Sequence, residues 1–123
     1  MSDKSLVVLG KILKYSRDAL SYVGDMDYDL FITDSKTLSA VAFALGQIGE
    51  LAKNVSDDVQ SATPEINWRG MRGLRNRIVH DYENIDSMML WDVIKTYLPE
   101  LIEQIQTYQQ SIYPTGAGCC FPI

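Results

Sequence analysis

Histidine is almost missing from this chain, with His80 the only one in 123 residues. One imidazole per copy puts a two-histidine acid–base scheme out of reach unless two copies pair, and no Asp, Glu or Cys at ligand spacing accompanies it to build a metal site. No metal and no other cofactor is expected. Cysteine is as scarce: Cys119 and Cys120 stand side by side in a tail containing Gly and Pro, which suits neither a disulfide framework nor a metal centre. The last four residues fit a prenylation box by letter, but Pro122 occupies an aliphatic position and no basic run precedes them, which argues against a lipid anchor. No apolar run approaches ~18 residues, and Met1 to Lys4 leads straight into an amphipathic segment, so the expectation is a cytoplasmic protein without membrane contact.

Positive charge is also in short supply. Eleven Lys and Arg face sixteen Asp and Glu, a net charge of -5. That balance excludes general attraction to polyanions, so any such partner must be met by a local patch. One patch exists: Arg69, Arg72, Arg75 and Arg77 are four of the five arginines and fall within nine residues, next to His80.

A chain of this length holds one core and not two. Apolar residues recur at helical spacing in four stretches, about Lys4 to Val23, Lys36 to Val55, Trp68 to Tyr82 and Ser87 to Tyr113. The candidate caps are Thr33, Asp34 and Ser35 for the second, and Asn84 to Asp86 for the last. Pro99 lies inside the last stretch and is expected to kink or divide it. In the second stretch Gly46 and Gly49 allow close approach of a neighbouring helix, while Gln47 and Glu50 interrupt an otherwise apolar surface, the role of Glu50 being open. Ser56 to Pro64 reads as a polar connection. Trp68 and Trp91 read as core or interface aromatics. The expected fold is all-α, an up-and-down bundle of four to five helices over residues 1–113, with a flexible tail over 114–123.

On the third helix Arg75 and Tyr82, seven residues apart, point nearly the same way, and Asn76 and His80 share another direction. His80 falls opposite the core stripe of Met71, Leu74 and Ile78, toward water or a partner. Arg75 and His80 diverge by about 140° on an unbroken helix. They meet at one atom only if the helix loosens near His80 or a second copy faces back across a two-fold axis. The groups suit cleavage of an RNA phosphodiester, which needs a base for the 2′-OH, a fixed cation for the phosphorane oxygens and an acid for the departing 5′-oxygen. The imidazole of His80 can take or give a proton, and Arg75 carries a planar donor fork. Arg69 and Arg72 extend such a track, or pair with acids of a neighbouring helix or a partner.

Arg75, His80 and Tyr82 form the R-x4-H-x-Y version of the motif that marks HEPN-domain ribonucleases, and the chain resembles their HepT toxin branch. VAFALGQIGEL at Val41 to Leu51, Pro64 to Arg69, GLRNRIVHDY at Gly73 to Tyr82, and Trp91 to Leu101 with its Leu-Pro-Glu-Leu follow that branch in order and spacing. The resemblance implies a homodimeric, metal-independent endoribonuclease of a type VII-like toxin–antitoxin system, with its cleft at the dimer interface. Arg75 and His80 are then catalytic, with Asn76, Arg72 and Arg77 supporting the RNA phosphates. It also implies an MntA-type nucleotidyltransferase antitoxin that silences the toxin by AMPylating Tyr82. The substrate is RNA, with tRNA and mRNA as candidates and no base-reading module in view. A second reading stays open, a non-catalytic helical module that binds a nucleotidyltransferase or a nucleotide.

Overall fold

The computed structural model describes residues 3–112, apart from the side chain of Asp3; the expected tail and both cysteines lie outside them. Among the described residues the regular structure is all helix, without a strand. Four long helical stretches form the bundle: α1 (Asp3–Val23), α3 (Ser35–Ala52), α5 (Trp68–Asp81) and the run from α6 (Ser87–Asp92) into α7 (Leu98–Ile112). Two short helices, α2 (Tyr28–Thr33) and α4 (Asp57–Ala62), sit in the connections.

Local chemistry explains each start. Asp34 accepts from the Thr37 amide and opens α3, and Asp86 accepts from the Met88 amide and opens α6. The connection read from Ser56 to Pro64 is corrected: Ser56 accepts from the Val59 amide and caps α4, with Asp57 and Asp58 in its first turn and Val59 buried below. α2 is built the same way, capped by Asp27 and anchored by the buried Phe31, whose ring lies 5.2 Å from Trp91. Both helices are too short for a periodic apolar stripe to announce them.

The core is shared by α1, α3 and α7. Leu9, Ile12 and Leu13 of α1 meet Val41, Leu45 and Ile48 of α3, and Leu98, Leu101 and Ile105 of α7 close the layer. α5 packs on the other side of α3 through Met71, Leu74 and Ile78. Pro99 neither breaks nor ends the last helix. The turn before it, Val93–Tyr97, widens to π-helical geometry, and the Leu98 amide donates to the Val93 carbonyl. The wider turn makes room for the proline ring, which has no N–H to give and presses on the carbonyl four residues back.

Candidate active site

α5 carries the basic run, and its N-terminus is firmly anchored. Asn67 accepts from the Gly70 amide, and the buried Trp68 indole donates to Thr63 Oγ1 at 2.9 Å. Gly49 then sets how deeply α5 sits on α3. A methyl at that position would collide with Arg75 Cβ and lie 2.5 Å from the Met71 carbonyl oxygen, so the backbones touch there. Gly46 is less critical, its virtual methyl lying 4.0 Å from Ile78.

One side chain of α5 and one from the turn just after it reach α3. Arg75 Nε donates to Glu50 Oε1 at 2.9 Å, and Arg75 Nη1 donates to Asn76 Oδ1 at 3.1 Å. The same Glu50 oxygen is 3.3 Å from Lys53 Nζ. Seven residues on, the Tyr82 hydroxyl shares a 3.1 Å hydrogen bond with Ser39 Oγ. The shared direction of Arg75 and Tyr82 is thus realised as two tethers to one helix. Between the tethers Phe43 is 60% exposed on α3 and Val79 is 56% exposed on α5.

The opposite direction is open. Arg69, Arg72, Asn76 and His80 follow one another at i, i+3, i+7 and i+11, a stripe on the outer face of α5. Arg69, Asn76 and His80 are exposed and Arg72 half-exposed; the side chains of Arg69, Arg72 and His80 have no hydrogen bond or ion pair among the described residues. The two arginines therefore do not pair with acids of a neighbouring helix. Arg77 belongs to neither group. It lies about 160° around the helix from Arg75, and its Nη1 reaches Met89 Sδ at 3.5 Å across a groove of about 500 Å³ between α5 and α6. Among the described residues no set of three or more His, Cys, Asp or Glu is placed to hold a metal.

The helix does not loosen before His80. α5 stays regular through His80, and the break comes at Asp81, where φ -151 and ψ 42 lead into a 3-10 turn, Tyr82–Asn84. Asp81 Oδ1 accepts from Asn84 Nδ2 at 2.7 Å and fixes that turn. Arg75 and His80 therefore remain on different faces of one copy. Within a protomer Arg75 is brought to Glu50, while the His80 side chain meets no hydrogen-bond or ion-pair partner among the described residues.

Sequence reasoning left Glu50 open and overlooked Ser39. The signal for Glu50 was an acid set into an apolar face; a serine among helical residues gave none. The Arg75–Glu50 pair is part-exposed, and such pairs contribute ~1 kcal/mol or less, so its weight lies in orientation rather than stability.

The pattern of the family described as ribonuclease HepT-like matches residues 12–108, which takes in α3, α5 and every residue of the site. The chain belongs to the HepT-like ribonuclease family. A candidate RNase of Methanocaldococcus jannaschii is 35% identical over 95 residues, covering 77% of this chain and 78% of that protein. A protein of Thermococcus cleftensis named as a probable ribonuclease HepT is 36% identical over 80 residues, covering 65% and 73%. A further candidate RNase, from Caldanaerobacter subterraneus, is 24% identical over 102 residues. No solved structure gives a significant match. The all-α fold agrees with this HepT-like membership, and no helix among the described residues is long and apolar enough to cross a membrane.

Proposed function

We propose that this HepT-like protein is a metal-independent endoribonuclease whose cleft forms between two copies, acting in the cytoplasm as the toxin of a type VII-like toxin–antitoxin pair. The observation that carries the reading is the regular α-helix from Arg75 through His80, which keeps guanidinium and imidazole about 140° apart in one protomer. A second copy related by a two-fold axis supplies the missing half, and the exposed Phe43 and Val79 beside the site are the apolar surface such a pairing covers.

In the cleft, one His80 takes the 2′-OH proton as the oxygen attacks the adjacent phosphorus, Arg75 stabilises the charge on the phosphorane oxygens, and the second copy's His80 protonates the departing 5′-oxygen. The products are a 2′,3′-cyclic phosphate and a 5′-hydroxyl. Arg72, with Arg69, extends the site along the outer stripe and holds neighbouring phosphates, while Asn76 orients phosphate or ribose. Arg77, turned toward Met89, is set apart from that track.

Silencing acts at Tyr82. Tyr82 is an exposed residue whose hydroxyl shares its hydrogen bond only with Ser39 among the described residues, and a nucleotidyltransferase antitoxin lets that oxygen attack the α-phosphorus of ATP, releasing pyrophosphate and the phenolic proton. The AMP left there puts a phosphate on the Arg75 side of the cleft, where it competes with RNA.

Purified protein should cut RNA in the presence of a chelator, and His80→Ala should lower the rate by about 10²–10⁴-fold while remaining dimeric. Cutting by pure His80→Ala at the wild-type rate would refute the catalytic assignment and leave the non-catalytic module. Tyr82→Phe should keep most of the cleavage and lose the mass gain of one AMP on incubation with ATP and the nucleotidyltransferase.

A further inference from the structure

Glu50 takes no part in the proton transfers above, yet its carboxylate is the one partner on another helix that Arg75 has among the described residues. A guanidinium offers an anion two edges, one formed by Nε and a terminal nitrogen, the other by the two terminal nitrogens. Glu50 Oε1 occupies Nε at 2.9 Å, and Asn76 Oδ1 takes one proton of Nη1 at 3.1 Å. Nη2 and the second proton of Nη1 are left for an anion. Lys53 Nζ shares the same carboxylate oxygen, so the cluster of two cations and one anion stays positive, and Glu50 orients the guanidinium without cancelling its attraction for phosphate.

Gly49, the residue before Glu50, makes the arrangement possible. With no side chain there, the stem of Arg75 lies directly on the α3 backbone, within reach of the neighbouring carboxylate. An alanine would push the guanidinium off its partner.

We propose that Glu50 is the positioning residue for Arg75: seated by Gly49 and shared with Lys53, its carboxylate fixes the Nε edge so that the terminal edge is presented to the scissile phosphate. The inference rests on the nuclease reading. It differs from a stabilising role, because the pair is part-exposed and contributes little to folding.

The test is a double-mutant cycle on RNA cleavage by the full chain, measured under single-turnover conditions, with melting curves as the control for folding. Glu50→Ala should lower the rate constant at saturating enzyme about 10–100-fold, the effect of a misplaced catalytic group, while half-saturation shifts less than about threefold. Glu50→Gln, whose amide oxygen still accepts from Nε, should recover part of that loss. In an Arg75→Ala background Glu50→Ala should cost nothing further, because the group it positions is gone. Wild-type cleavage by Glu50→Ala, an undiminished effect in the Arg75→Ala background, or a lowered melting temperature with an unchanged rate would each overturn the positioning role alone. No cleavage by the wild type, or full cleavage by Arg75→Ala, would overturn the nuclease reading and this inference with it.

Discussion

Toward α3, helix α5 presents Arg75 and the 3-10 turn that follows it presents Tyr82, and both are tied, one to Glu50 and the other to Ser39. Toward solvent α5 presents Arg69, Arg72 and His80, none of whose side chains has a hydrogen bond or ion pair among the described residues. The same fourteen-residue helix is thus held on one side and loose on the other. Groups whose geometry decides the chemistry gain from tethers, whereas groups that gather a polyanion work by charge alone and lose entropy if fixed. His80 is the exception that gives the difference its meaning. Its side chain has no partner among the described residues, and under the proposed function a second copy would supply one.

The sharpest way to break the comparison is to remove one group from each side. Arg75→Ala and His80→Ala should each lower RNA cleavage by about 10²–10⁴-fold, although only the former loses a tether. A large loss for one and none for the other, in cleavage assays of pure protein, would dissolve the pairing. Next comes the contact beneath the tethered side. Gly49→Ala forces α3 and α5 apart and should cost about 1–3 kcal/mol in urea unfolding, with a loss of cleavage beyond the loss of stability. Unchanged unfolding would mean the close approach carries no load.

A third side of α5 offers a control. Tyr97, where the π turn meets α7, directs its hydroxyl to the Asn67 carbonyl at 3.5 Å, next to the start of α5. Burial, with a smaller push from Glu100, raises its pKa to about 12. An unfolded tyrosine ionises near ~10, so the folded state holds this proton more tightly. The resulting stability is whole below pH ~10 and is lost as the pH rises through ~12, about 2 kcal/mol. Tyr97→Phe should flatten that alkaline decline in urea unfolding while leaving cleavage at neutral pH unchanged. The smallest effect belongs to the loose side. Arg69→Ala and Arg72→Ala should leave the fold intact and each lower the slope of log affinity for single-stranded RNA against log salt by about 0.7, one phosphate contact apiece.

The long helices were legible because their apolar residues recur every three or four positions, and the caps Asp34 and Asp86 stood where the chain needed them. α2 and α4 were not, since one buried residue each, Phe31 and Val59, makes no period. Pro99 reads as a kink or a division, because nothing in the letters distinguishes a broken helix from one that absorbs the proline in a π turn. Within the site, periodicity correctly separated the direction of Arg75 and Tyr82 from that of Asn76 and His80. The same periodicity puts Arg77 nearly on the far side of the helix from Arg75, where its guanidinium reaches Met89. Glu50 and Ser39 come from another helix, and their pairing with α5 depends on a register that only the packing at Gly49 sets.

The central claim is that guanidinium and imidazole converge only between copies, and mixing tests it most directly. Wild-type protein and His80→Ala are combined in equal amounts under conditions that exchange subunits, and RNA cleavage is measured at fixed total protein. If the cleft needs His80 from both copies, only wild-type pairs are active and about a quarter of the wild-type rate should remain. A residual rate of about one half would show that a single His80 per pair suffices for cleavage, and would contradict the account.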